Sequence, residues 1–174
     1  MSVVIDGSAG VTTNSGAVYN SIQSSTAVAS TSGTSIDFTG IPSWVKRITV
    51  MFNGVSTNGA SLVQIQLGSG SVQTTGYTSS GTFLNNSSNN TANATTGFIV
   101  QLGTSNQTRT GNLTLTLLGS NVWTGNGSFA NPGQTGTVIA SGQGTITGTV
   151  DRVRITTVNG TDAFNGGSVN ILYE

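Results

Sequence analysis

The chain has 174 residues, a formal net charge of zero, and charged side chains at only 6% of positions, against roughly 25% in ordinary soluble domains. Five Lys and Arg in total are too few to neutralise a phosphate backbone, and they form no basic amphipathic stretch for a membrane surface, so neither nucleic acid nor membrane insertion is expected. With no Cys and no His, the chain can build no disulfide, thiolate metal site or imidazole base, and its polar surface must come from Ser, Thr, Asn, Gln and Gly.

The opening MSVVIDGSAG lacks a positive segment followed by a continuous apolar run, so it does not read as a secretory signal. No apolar run nears the ~18 residues that a membrane-spanning helix needs. Val3, Val4 and Ile5 make a short apolar start, and Val18 and Ile22 are spaced to share one face of a helical turn. Thr, Ser and Asn dominate the rest of residues 1–33. That segment holds too little apolar surface to fold alone. It is expected to be an N-terminal arm, with Val3, Val4, Ile5, Val18 and Ile22 as its anchoring side chains.

Residues 34–174 read as one β domain. Ser35–Phe38 is a short strand with Ile36 and Phe38 inward. Ile41-Pro42-Ser43 reads as a corner, because proline has no amide to donate to a ladder. Arg47–Phe52 then alternates strictly, with Ile48, Val50 and Phe52 on one face and Arg47, Thr49 and Met51 on the other. This is the pattern of a half-buried strand, here a central one. Asn53-Gly54 follows and is expected to turn a hairpin.

Further alternating runs are Leu62–Leu67 (Val63, Ile65 and Leu67 inward, Gln64 and Gln66 outward), Phe98–Leu102, Leu113–Leu117, Arg152–Val158 and Val169–Tyr173. Val122–Phe129, Thr137–Ala140 and Gly144–Val150 are Gly-rich strand candidates. More Asn-Gly pairs occur at Asn58, Asn126, Asn159 and Asn165. Many short strands with one polar face and frequent turn residues argue for an all-β, antiparallel β-sandwich, jelly-roll-like rather than a closed barrel.

The stretch Gly76–Thr96 is low in complexity and is expected to be a long loop at one end of the sandwich. Loops on a rigid scaffold often carry binding. Tyr77, Asn85, Asn86, Asn89 and Asn90 are therefore the candidate surface-binding residues, against the alternative of an unselected solvated loop.

The acids are Asp6, Asp37, Asp151, Asp162 and Glu174. A glycosidase needs two carboxyls facing across a cleft, and Asp151 and Asp162, flanking one strand, are the pair to consider. The structural alternative has Asp37, Asp151 and Asp162 capping turns or pairing with Arg47, Arg152 or Arg154. No acidic cluster suits a metal, and no cofactor is expected. Trp44, Trp123, Tyr77 and Tyr173 are rings that could stack on a sugar, with core or rim packing as the alternative, and for Trp44, beside a corner, packing is expected.

Two segments, TSIDFTGIPSWVKRITVMFNGVSTNG at 34–59 and DRVRITTVNGTDAFNGGSVNILYE at 151–174, resemble virion structural proteins of tailed bacteriophages. DGSAGVTTNSGAVYNS, ahead of them, is similar to the linkers that precede such domains in tail fibres. The resemblance carries no active-site motif. It implies a non-enzymatic β-sandwich on the particle surface, commonly a homotrimer, made in the host cytoplasm and ending in the virion. Expected partners are copies of itself, other capsid or tail proteins and a host surface glycan. Two readings stay open, a short tail-fibre or adhesin-type domain and a capsid cement (decoration) protein. A carbohydrate-acting enzyme is the third.

Overall fold

The computed structural model describes residues 22–86, 89–100 and 105–174, and the backbone of 3–6 and 10–13. In chain order the strands are β1 (Val3–Asp6), β2 (Gly10–Thr13), β3 (Gln23–Ser24), β4 (Val28–Ala29), β5 (Ser35–Thr39), β6 (Arg47–Thr57), β7 (Val63–Ser69), β8 (Ser71–Val72), β9 (Tyr77–Leu84), β10 (Asn89–Ala94), β11 (Phe98–Ile99), β12 (Arg109–Gly119), β13 (Val122–Asn131), β14 (Gly136–Thr145), β15 (Arg152–Thr157) and β16 (Phe164–Tyr173). Apart from the β1–β2 ribbon they form two antiparallel sheets, one of nine strands and one of five. The large sheet runs β10-β9-β14-β13-β12-β6-β16-β3, with β4 also on β16. The small sheet runs β11-β7-β15-β5, with β8 on β7. The two pack face to face as a β-sandwich.

The long strands pair in a nested way: β6 with β16, β7 with β15, β9 with β14, β12 with β13. A jelly roll nests its strands in the same manner. Here the innermost hairpin, β12–β13, stays in the large sheet beside β6 and β14, which leaves the sheets unequal. β6 is the central strand that its alternation predicts. It pairs with β12 on one side and β16 on the other, and Ile48, Val50 and Phe52 are buried. Burying such a side chain is worth roughly 1.5–3 kcal/mol. Opposite them stand Val63, Ile65 and Leu67 of β7 and Val153 and Ile155 of β15, all buried in the same core. Pro42 makes the corner into β6, its carbonyl accepting from Val45 N–H at 3.1 Å.

Three expectations change. Asn53-Gly54 turns no hairpin, because β6 runs through it to Thr57. Gly54 takes φ 64° and Gly167 of β16 takes φ 87°, and the two backbones close in at this point, where the β6–β16 register shifts. Only a residue without Cβ adopts this geometry at no cost. Asn126-Gly127 likewise lies inside β13, and the backbone of Asn112 and Leu113 fills the space a Gly127 Cβ would need.

Gly76–Thr96 is not a long loop. Most of it is the β9–β10 hairpin, added to the edge of the large sheet through β14. Tyr77, Ser79, Gly81 and Phe83 alternate inward along β9, so the segment has a strand's periodicity written mostly in small residues.

Residues from 22 onward in the expected arm lie on the sandwich. β3 and β4 pair with β16 and cover its edge, and Ser30, fully buried, donates from its amide to Gly167 O at 2.9 Å and from its hydroxyl to Gly166 O at 2.7 Å.

Candidate functional site

The sequence-level candidates do not converge. Tyr77 is 3% exposed and belongs to the core. Its hydroxyl accepts from Leu67 N–H at 2.8 Å and donates to Leu67 O at 3.1 Å. Burial pushes its pKa up to about 12, with the Leu67 contact pulling the other way. It offers no ring to the surface, and that expectation is withdrawn. Asn86, Asn89 and Asn90 are exposed around the β9–β10 tip, and Asn85 is half-buried there.

Of the arm residues, Val3, Val4 and Ile5 lie in β1, opposite Thr13, Thr12 and Val11 of β2. Val18 falls outside the described residues. Ile22 is 59% exposed and lines a depression of about 200 Å³ with Arg47, Thr49, Thr114, Leu172, Tyr173 and Glu174.

The acids whose side chains are described hold structure. Asp37 takes Arg154 Nε and Nη2 in a two-pronged pair at 2.7 and 2.9 Å. Asp151 accepts from Arg152 Nε at 2.7 Å and from Gly70 N–H at 3.0 Å. The Arg152 hydrogen bond, with the Gly70 amide behind it, holds its carboxyl below the usual range. Asp162 accepts from Asn159 Nδ2 at 2.6 Å and Ser61 N–H at 2.8 Å, which lower it too. Glu174 pairs with Arg47.

Asp151 and Asp162 stand beyond opposite ends of β15, about 20 Å apart at ~3.3 Å per residue. That is far outside the roughly 5–9.5 Å of a glycosidase pair. No group of three or more His, Cys, Asp or Glu gathers among the described residues. Trp123 is buried, and Trp44 packs half-buried against Tyr173, ring centroids 6.1 Å apart.

The most site-like feature lies on the outer face of the small sheet. Cross-strand register sets two polar rows there, Asp37–Arg154–Gln66 and Ser35–Thr156–Gln64. Gln64 and Gln66 point away from the core, as their alternation predicts, yet they are only 2% and 4% exposed. The chain at 95–97 crosses over them. Gln66 Nε2 donates to Thr96 O, and Thr96 Oγ1 donates to Gln64 Oε1, both at 2.8 Å. A Cβ on Gly97 would stand 2.8 Å from Gln64 Oε1 and 2.9 Å from Ile65 O, so glycine lets the crossing sit this low.

Thr156 Oγ1 donates to Thr34 O at 2.9 Å. With Thr74 on one wall and the 157–160 turn at one end, these groups bound a groove of about 280 Å³. Its one cation, Arg154, is matched by Asp37. The groove is therefore electrically balanced and rich in amides and hydroxyls. Alternation alone marks Gln64 and Gln66 only as the wet face of a strand. The overlying Thr96 makes them a site, and no local pattern encodes that contact.

The outer face of the large sheet is broader, and two of its register rows carry no charge. One register row reads Asn170–Met51–Asn112–Ser128–Ile139–Thr82 and the next Leu172–Thr49–Thr114–Asn126–Ser141–Ser80. Ile139 is 52% exposed in its midst.

Arg109, which no pattern in the sequence singles out, is the largest fully buried side chain among the described residues. Its Nη1 donates to Thr108 O at 3.0 Å, and burial lowers its pKa to about 10, so it stays cationic at neutral pH.

The chain matches no protein-family model, no curated protein and no solved structure.

Proposed function

We propose that this chain is a non-enzymatic structural protein of the surface of a tailed-bacteriophage particle, a short tail-fibre or adhesin-type domain working as a homotrimer. The observation that carries the reading is the pair of hydrogen-bonding outer faces, uncharged along two register rows of the large sheet and charge-balanced on the small one, on a two-layer body whose described acids are tied into structural contacts. Neutral polar surfaces favour contacts that are reached without counter-ion release and that resist changes in salt. The resemblance of 34–59 and 151–174 to virion proteins supplies the biological setting.

A cement role is the second reading. The breadth of the large sheet's neutral face favours it, since six paired strands at ~4.8 Å spacing offer several hundred Å² for lattice contacts. Gold-labelled antibody against the native chain on intact particles separates the two. Label at the tail tip is expected for the adhesin, and label over the head lattice would move the assignment to cement. Particles that bind no label would sink both. Sedimentation of the purified chain tests the trimer, and a monomer at micromolar concentration would remove it.

A further inference from the structure

The groove on the small sheet is lined by two amides, each with only one end bonded to the chain that crosses them. Gln66 spends Nε2 on the Thr96 carbonyl, and its Oε1 has no hydrogen-bond partner among the described residues. Gln64 spends Oε1 on the Thr96 hydroxyl, and its Nε2 is likewise unengaged. The two side chains leave one face of β7 two residues, about 7 Å, apart along the strand, so that an acceptor and a donor share the floor of the groove. Both residues are more than nine-tenths buried, so their rotamers are fixed by packing before any ligand arrives.

Thr156, with its proton committed to Thr34 O, adds an acceptor on the same floor. Val158, 43% exposed at the groove end, gives an apolar edge. Arg154 is already neutralised bidentately by Asp37, so the site has no net attraction for an anion.

We propose that this groove binds a neutral sugar ring. Vicinal hydroxyls, each both donor and acceptor, would meet Gln66 Oε1 and Gln64 Nε2, and the C–H face would lie toward Val158. The inference rests on the adhesin reading and names the class of molecule that reading would touch. With few hydrogen bonds and no aromatic platform, a single ring binds weakly, with a Kd on the order of 1 mM. Repetition over three copies would raise the avidity.

The test uses the full chain labelled with ¹⁵N, observing the side-chain amide resonances of Gln64 and Gln66. The probes are methyl glycosides of glucose, galactose and mannose, N-acetylglucosamine, and N-acetylneuraminic acid as the anionic control. At least one neutral probe is expected to shift both glutamine resonances saturably in the millimolar range, and the anionic sugar is not.

Gln64→Glu keeps the acceptor for Thr96 and turns the outward donor into an acceptor. It should weaken binding at least about tenfold, the scale of one lost hydrogen bond. Should that variant fail to fold, Thr156→Val removes the floor acceptor and should weaken binding in the same direction. Unmoved glutamine resonances with every neutral probe, a preference for the anionic sugar, or a folded variant that binds like the parent would each overturn the site.

Silent glutamines in a chain that labels the tail tip would discard the sugar site and leave the adhesin role standing. Saturable shifts in a chain absent from particles would do the opposite.

Discussion

Tyr77 and Gly144 are direct cross-strand partners on β9 and β14, and the phenol ring lies where a Gly144 Cβ would stand, its Cδ1 at 2.7 Å and Cε1 at 2.8 Å from that point. The arrangement recurs. Phe98 ring atoms lie 2.9 and 3.0 Å from the Cβ position of Gly125, and Phe83 ring atoms 2.5 Å from that of Gly136. Tyr77 and Phe98 meet edge to face at 5.4 Å. Rings carried by one set of strands thus fill the space left by glycines on another, and the β9–β14 side of the core is built from that exchange.

Gly144→Ala must therefore displace the Tyr77 ring and disturb its hydroxyl contacts with Leu67. A loss of roughly 1–3 kcal/mol is expected, the range for overpacking a filled core. Urea denaturation of parent and variant gives it as a lower midpoint at unchanged slope. Gly125→Ala should behave alike against Phe98, whereas alanine at Gly70, with nothing within 4 Å of its Cβ position, meets no steric clash and pays only for its positive φ.

Tyr77→Phe keeps the ring and removes the hydroxyl, leaving Leu67 N–H and C=O without that partner in the core. The expected cost is about 1–3 kcal/mol. The pH dependence provides a second check. Burial raises the Tyr77 pKa from 10.0 to about 12. The corresponding stability is complete below the unfolded value and is lost as pH rises through the folded one. Denaturant midpoints measured from neutral to strongly alkaline pH should fall in that window for the parent and fall less for the variant.

At the acid end the sign reverses. Asp151 and Asp162 sit below the ordinary carboxylate range, chiefly through hydrogen bonds from Arg152 and Asn159. A depressed pKa gives stability that is present above the unfolded value of ~3.9 and lost as pH falls through the folded one. Asp162→Asn retains an oxygen for Ser61 N–H but not the charge. Its stability should decline less steeply below pH ~4 than the parent's, as followed by thermal melts across that range.

Trypsin has five possible cleavage residues, Lys46, Arg47, Arg109, Arg152 and Arg154. Arg152 and Arg154 lie within β15, Arg109 is buried in β12, and Lys46 and Arg47 donate their amides to Glu174 O at 2.7 and 2.9 Å. Cleavage then requires local opening of paired strands. Gel electrophoresis of a native digest should show the 34–174 body intact long after a urea-unfolded sample has been cut. Equal rates in the two samples would contradict the rigidity assigned to the sandwich.

The parts of the fold that could be read in advance are those whose inward positions are large. Ile48, Val50 and Phe52 announce β6, and Leu113 and Leu115 announce β12. β9 carries no such signal because Ser79 and Gly81 take inward positions, and the missing volume comes from elsewhere, such as Ile99, whose Cγ2 lies 3.2 Å from the Cβ position of Gly81. Asn126-Gly127 carries turn chemistry, yet the close approach of β12 requires glycine there for another reason. Gln64 and Gln66 were placed on the correct face. Their burial depends on Thr96, some thirty residues away (|i−j| = 30 and 32), and alternation within one strand carries no record of such a neighbour.

Ile22, where the described body begins, borders the same depression as Glu174, on the non-core side of the large sheet. The Gln64–Gln66 groove opens on the non-core side of the small sheet. Ile22 thus lies at the back of the molecule while the groove looks out from its front. A body gripped at the Ile22 depression would therefore leave its amide-lined trough open on the opposite side.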